Sequence, residues 1–256
     1  MKINRRYRVE LGPLADLEVV LVGCGGTGSF VALHLARLAY HLRARTGQTL
    51  AITFVDPDTV EEQNVGRQNF CPAEIGQSKS WTLMRRYNAA FGLAMRAIVA
   101  PFAREMLPGG KPVLLVGCVD NAAARRELDT ATRQRTRVWW LDAGNHEFSG
   151  QVLLGNRDIA HPEISPLGFC AALPLPSVVH PELVQDTAIH PMDESVESCA
   201  ELAARDAQSL MINQMMAGWV AAYLARLLVS KDLDMRATYV DLLTGSARSV
   251  EVTDEH

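Results

Sequence analysis

A short apolar run, Glu18-Val19-Val20-Leu21-Val22, stops abruptly at Gly23-Cys24-Gly25-Gly26-Thr27-Gly28. Apolar residues then recur at helical spacing across residues 30–45, as at Leu33, Leu35, Leu38 and Leu42. Strand, glycine turn and helix follow in that order. A second apolar run at 50–55 closes on Asp56-Pro57, so the opening segment predicts a βαβ unit with a parallel sheet.

The alternation continues. Residues 80–91 have helical periodicity, 97–102 and 113–119 look like strands, 121–135 is a charged helix, and 138–142 is strand-like again. This interleaving predicts an α/β fold: a doubly wound, Rossmann-like, mostly parallel sheet with its ligand crevice outside the carboxyl ends of the strands. After a further strand at 151–155, residues 156–195 collect Pro162, Pro166, Pro174, Pro176, Pro181 and Pro191, which predicts a long irregular crossover. An Ala- and Met-rich helix at 201–229 comes next, and 237–243 with 246–252 around Thr244-Gly245 read as an antiparallel C-terminal hairpin. The expected organisation is one domain over 1–256: a nucleotide-binding half at 16–155, a crossover at 156–196, and a helix with hairpin at 197–256. No internal repeat interrupts it.

Composition removes several function classes. The 256 residues are 48% hydrophobic and carry a formal net charge of −4, without the basic face or tail that would attract nucleic acid. Apolar stretches are broken by Arg, His or Gly before reaching the roughly 18 to 20 residues of a membrane span. Residues 1–10 are basic but lack the apolar run of a secretory signal, so a cytoplasmic location is expected. The five cysteines are odd in number and form no C-x-x-C pair, which argues against a disulfide framework or a four-cysteine zinc site. Cys24 and Cys118, inside or beside apolar runs, fit the ordinary fate of a free cysteine as a small buried residue.

The glycine turn lets backbone approach a phosphate, and the helix behind it offers free N–H groups and the positive end of its dipole. A tight turn without a ligand would need the same glycines. Asp56, closing the second strand, is placed to accept ribose hydroxyls, whether of NAD or of ATP. The discriminating stretch follows: Asp56-Pro57-Asp58-Thr59-Val60-Glu61-Glu62-Gln63-Asn64-Val65-Gly66-Arg67-Gln68. A dehydrogenase has no use for this set, whereas a site holding a triphosphate does. Arg67 offers a planar fork to phosphate oxygens, Asn64 and Gln68 can orient oxygens, and Lys79 adds a point charge. Singly, Arg67 and Lys79 would pass for solvated surface charges.

The blocks G-C-G-G-T-G-S, D-P-D-T-V-E-E-Q-N-V-G-R-Q, I-G-Q-S-K and C-V-D-N-A-A-A-R-R resemble, in order and spacing, those of the ThiF/MoeB proteins and of the adenylation domains of ubiquitin-activating enzymes. The likeness covers roughly the first three fifths of the chain and resumes at Cys199. It implies ATP and Mg²⁺ as cofactors, with Gly23, Gly25, Gly26 and Gly28 at the phosphates, Asp56 on the ribose, and Asn64, Arg67 and Lys79 around the triphosphate. Asp58 and Gln68 stand nearby. Asp120 matches the magnesium-associated aspartate, although it could equally be the N-cap of the next helix. The catalytic set so implied is Arg67, Lys79, Asp120 and Cys199.

The same resemblance makes Arg6 or Arg8 a candidate for insertion into a partner subunit's site, within a homodimer. His146, in the segment Asp142-Ala143-Gly144-Asn145-His146-Glu147, reads as a hydrogen-bonded turn residue rather than a base. Zinc-binding relatives carry two C-x-x-C pairs; with only Cys170 in the crossover and no cysteine after Cys199, no structural zinc is expected. Cys199 occupies the position of the thioester- or persulfide-forming cysteine. Ser198-Cys199-Ala200-Glu201 also has the capping-box pattern, placing that thiol in a first helical turn that favours thiolate. Length and the missing cysteine pairs resemble the ThiF-family member of the plasmid-borne PRTRC system.

The expected activity is ATP-dependent adenylation of the C-terminal carboxylate of a small ubiquitin-like, β-grasp or sulfur-carrier protein, with thioester formation at Cys199 as a further step. A nucleotide-binding scaffold without turnover is one alternative. An NAD-dependent oxidoreductase is another, but it leaves Asn64, Arg67, Lys79 and Asp120 without a role.

Overall fold

The computed structural model describes residues 5–13, 16–185 and 199–254, with side chains of the last helix described from Met211 onward. Strands β1 (Glu18–Val22), β2 (Ala51–Val55), β3 (Arg96–Ile98), β4 (Val113–Gly117) and β5 (Val138–Asn145) pair in parallel. Strand β6 (Ser149–Gly155) turns back along β5, while β7 (Glu163–Ile164) and β8 (Cys170–Ala172) form a separate two-stranded ribbon. The hairpin of β9 (Met235–Asp241) and β10 (Ser246–Glu251) then completes the main sheet antiparallel to β6. Its order is β10-β9-β6-β5-β4-β1-β2-β3, eight strands in all.

The central strands are mostly apolar because both of their faces are buried, and Glu18 of β1 is paired with Thr53 of β2 at 2.8 Å. On β1, Val19 and Leu21 face one core while Val20 and Val22 face the other. The first core receives Leu35 and Leu42 of helix α1 (Gly26–Thr46), Leu83 of α2 (Lys79–Phe91), and Val220 and Tyr223 of α5 (Cys199–Ala225). The second receives Leu128 and Ala131 of α3 (Ala122–Arg133). Helix α1 packs along α5, and α5 lies over β5 and β6. The helix α1 closes on Gly47 in the left-handed region at φ 70°, whose N–H returns to the Arg43 carbonyl.

Two sequence expectations need correction. Strand β3 ends at Ile98 rather than 102, which frees Pro101 and Phe102 to border the cleft described below. The crossover is not wholly irregular: residues 156–185 contain the β7–β8 ribbon, the short helix α4 (Pro176–Val179) and a 3-10 turn at Pro181–Val184. Asn156 anchors this segment, taking up the Leu173 N–H at 2.8 Å. The expected helix at 201–229 begins at Cys199 and passes at Arg226–Ser230 into a π turn. Among the described residues, no helix is long and apolar enough to cross a membrane.

Candidate functional site

Strand order reverses between β1 and β4, and there the loops after these two strands part. A cleft of about 1010 Å³ opens at the carboxyl ends of β1, β2, β4 and β5, where a doubly wound sheet leaves room for a ligand. Of the residues predicted from sequence, Gly23, Gly25, Gly26, Asp56, Asp58, Arg67, Gln68, Lys79 and Asp120 border this one cleft. Gly28 and Asn64 do not.

The glycines divide into two roles. A Cβ on Gly28 would lie 1.9 Å from the Gly23 carbonyl oxygen, so this glycine serves the close packing of helix on strand. Gly23 takes φ +87°, and a Cβ there would meet the Cys118 carbonyl oxygen at 2.6 Å. Gly25 is different: its nearest neighbour would be the Gln68 Nε2, 3.8 Å away, so the space before it is open. Helix α1 has no side-chain N-cap. Its first N–H groups therefore remain available to an acceptor in the cleft.

Asp56 is buried at the end of β2 and is fixed by two backbone donors. The Cys24 N–H reaches its Oδ2 at 2.5 Å and the Asp58 N–H its Oδ1 at 2.8 Å. Burial raises its pKa above the ordinary carboxylate value, and those two hydrogen bonds oppose the shift. Lys79 is buried at the first residue of α2, an unfavourable end of the dipole for a cation. Its Nζ donates to Asp58 Oδ2 at 3.0 Å, and this pair borders the cleft. Arg67 is half-buried; its Nε donates to the Gln63 carbonyl at 3.1 Å. Asn64 is buried and accepts the Glu61 N–H at 3.0 Å, closing the 3-10 turn that carries Arg67. Its contribution to a ligand is through that turn. Gln68 is 8% exposed, and its Oε1 has no partner among the described residues, an acceptor left for a donor in the cleft.

Asp120 has two readings in the sequence, metal carboxylate or helix cap, and the structure separates them. The cap of α3 is Asn121, whose side-chain oxygen takes the Ala124 N–H at 2.8 Å. Asp120 is exposed at the cleft, touched by the Asn121 amide at 3.2 Å. Among the described residues no three His, Cys, Asp or Glu side chains cluster to hold a metal by themselves. A single open carboxylate beside a phosphate site still fits Mg²⁺, which keeps water and phosphate oxygens as most of its ligands.

Several cleft residues escaped sequence reasoning. Arg125 borders the cleft from α3 and forms a buried pair with Asp142 of β5, Nε to Oδ1 3.4 Å. Thr27 donates its hydroxyl toward Asn145 at 3.2 Å and Asn213 at 3.0 Å, bridging the glycine turn, β5 and α5. Tyr239 of β9 borders the mouth, where its hydroxyl meets His180 Nε2 at 2.8 Å while His180 Nδ1 meets Glu182 at 2.8 Å. A signal for Arg125 was present: it shares the buried phase of α3 with Leu128 and Ala131, where a charge is unexpected.

A family model described as the ThiF family matches residues 9–256. The chain belongs to the ThiF family. Ubiquitin-like modifier-activating enzyme 5 of Dictyostelium discoideum is 29% identical over 158 residues, covering 55% of this chain and 39% of that protein. Adenylyltransferase and sulfurtransferase MOCS3 of Mus musculus is 28% identical over 222 residues, covering 84% of this chain and 43% of that protein. The chain thus spans about two fifths of these relatives' length. Among solved structures, PaaA superposes with a TM-score of 0.62 at 17% identity, and the E. coli MccB structure with ATP with 0.60 at 15% identity. PaaA and MccB are each covered to 66%, and this chain to 94% by either, which establishes the shared fold.

In this ThiF-family chain, helix α5 starts at Cys199. Ser198, its expected cap, lies outside the described residues. Cys24 is fully buried, and burial drives its thiol pKa well up. Cys118 is only half-buried, bordering the cleft, and burial raises its thiol too. The His146 N–H donates to the Ser149 carbonyl at 2.8 Å in the β5–β6 turn, and the residue borders the cleft. Arg6 is engaged within its own chain, by Glu251 at 2.8 Å and Asp234 at 3.8 Å, whereas Arg8 meets Glu10 at 3.9 Å.

Proposed function

We propose that this chain adenylates the C-terminal carboxylate of a small ubiquitin-like or sulfur-carrier protein at the expense of ATP. The observation that carries the reading is the convergence of Asp56, the Lys79–Asp58 pair, Arg67 and an uncapped Asp120 on one cleft of a ThiF-family fold. Asp56 accepts the ribose hydroxyls, Gly25 and the start of α1 take up phosphate oxygens, and Arg67 with Lys79 carries the charge of the triphosphate. Asp120 would hold Mg²⁺ together with the phosphates; when bound, the ion spreads charge developing on their oxygens. A carboxylate oxygen of the carrier forms a bond to the α-phosphorus while the bond to the bridging β-phosphate oxygen breaks. Pyrophosphate leaves with that electron pair, and an acyl-adenylate remains. Positioning and charge stabilisation supply the rate.

The chain acts in this proposal as one unit over 1–256 and as a homodimer. In a second step Cys199, at the start of α5, attacks the acyl carbonyl as a thiolate favoured by the helix end; the thioester C–S bond forms, the acyl C–O bond to the phosphate breaks, and AMP leaves with that electron pair. Carrier-dependent exchange between pyrophosphate and ATP tests the first step. Exchange is expected with a small β-grasp protein ending in Gly-Gly encoded beside this chain, and its absence with every neighbouring small protein would overturn the reading.

A further inference from the structure

Resting on the adenylation reading, we propose that Arg125 grips the acyl group itself, a carboxylate oxygen before reaction and the acyl carbonyl oxygen in the adenylate, with Asp142 as its positioning residue. Arg125 is 9% exposed, so its guanidinium has given up most of its water. Its one side-chain partner among the described residues is the fully buried Asp142, met through Nε alone at 3.4 Å. That is half of what a bidentate pair would use. Among the described residues Asp142 Oδ2 has no partner, and the Arg125–Asp142 contact uses Nε and neither Nη group. A single long contact repays little of the cost of burying a guanidinium, and an anion entering the cleft would complete the repayment.

Place and shape indicate which anion. Arg67 and Lys79 come from the segments after β2, on the ribose and triphosphate wall; Arg125 comes from α3 and lies against the end of β5, on the opposite side of the Asp120 loop. Arg125 Nη2 would be 3.2 Å from a Cβ at Gly144, so the missing side chain at Gly144 keeps the approach to the fork open. A planar fork matches a planar carboxylate, which must present one oxygen to the α-phosphorus while the other is held.

Calorimetry with three probes separates the possibilities: ATP, adenosine 5′-sulfamate, and glycylglycyl-sulfamoyl adenosine, which adds to the second probe the acyl group and the negative charge that acylation places on the sulfamate nitrogen. The wild type is expected to prefer the acylated probe to the sulfamate by at least tenfold. Arg125→Gln should reduce that preference to threefold or less and leave ATP and sulfamate affinities unchanged. Asp142→Asn, with an unchanged melting temperature, should give an intermediate preference, which a purely structural role would not. If the single variant unfolds, the double variant Arg125→Gln/Asp142→Asn, which leaves no unpaired buried carboxylate, carries the comparison. An acyl preference that survives in these variants overturns the assignment, as does an equal loss for all three probes. A wild type that binds none of the three overturns the adenylation reading instead, and the Arg125 proposal with it.

Discussion

Asp120 and Asn121 split two jobs that neighbouring residues at a helix start often share: Asn121 caps α3 and Asp120 is left facing the cleft. Asp120→Ala should therefore abolish pyrophosphate exchange and leave the melting temperature within about a degree or two, since an exposed carboxylate contributes little to stability. Exchange at the wild-type rate would remove the metal role. Asp56 supports a prediction about pH. Its pKa in the folded chain is raised from 3.8 by burial, so the folded protein holds this proton more tightly than the unfolded one. The free protein should lose stability as pH rises from 3.8 to the elevated pKa, and Asp56→Asn should flatten that slope. Adenosine, which carries no phosphate to titrate alongside, should bind worse as pH falls through the same window, because the ribose hydroxyls then meet a neutral acid. An adenosine affinity that is flat with pH in the wild type would show that Asp56 does not hold the ribose. At this scale the sequence was informative wherever several polar residues crowd behind a strand, as from Asp56 to Gln68. It was weak for Arg125: the residue shares the apolar phase of its helix with Leu128 and Ala131, but an Arg in a charged helix looks like a solvated face until the sheet buries it.

Helix α1 and its glycine turn place a tightly packed glycine and an open one within six residues. Gly28→Ala would press a methyl onto the Gly23 carbonyl and should cost about 3 kcal/mol, lowering the melting temperature by several degrees. Gly25→Ala points into open space, so it should fold normally and lose ATP affinity by tenfold or more. If the two variants instead behaved alike in melting and in ATP titration, the division of roles would be wrong. A second element-scale test concerns α5. With Cys199 at its start, Cys199→Ala should keep pyrophosphate exchange near normal and eliminate any thiol-sensitive adduct with the carrier, because adenylate formation needs the phosphate side and not the thiol. Full overall activity of that variant would show that the adenylate passes directly to another acceptor. The existence and type of α1, β1, β2 and β4 were legible from their periodicity and mostly apolar runs, although α1 begins at Gly26, four residues before its apolar periodicity, and β4 ends at Gly117 rather than 119. The crossover was not. Its strands are two and three residues long, and tertiary contacts hold them: Cys170 receives the bridge from Val9, and Asn156 fixes Leu173.

The whole molecule carries an unfinished surface along α5. Ile212, Met216 and Val220 turn into the core, while Met211 is 62% and Met215 45% exposed, and Gly218 has nothing within 4 Å of where its Cβ would stand. An apolar stripe of this kind on a helix otherwise packed against α1 is suited to a second copy of the chain. A second copy seated on that stripe would also decide what the N-terminal arm can do. Arg6 is committed to Glu251 and Asp234, leaving Arg8 as the residue able to reach a partner's cleft. Light scattering at micromolar concentration should give twice the 28.1 kDa chain mass, and Met211→Glu/Met215→Glu should shift it to the monomer. Mixing offers the sharper measurement. Arg8→Ala and Asp120→Ala should each be inactive alone in pyrophosphate exchange. In a twofold-symmetric dimer that shares an arginine across the interface, random reassortment of the two variants makes half the dimers mixed, each with one intact site. About a quarter of wild-type activity should then return. No recovery on mixing, with exchange of subunits verified by mass, would confine each site to its own chain and leave the α5 stripe a contact without a catalytic role.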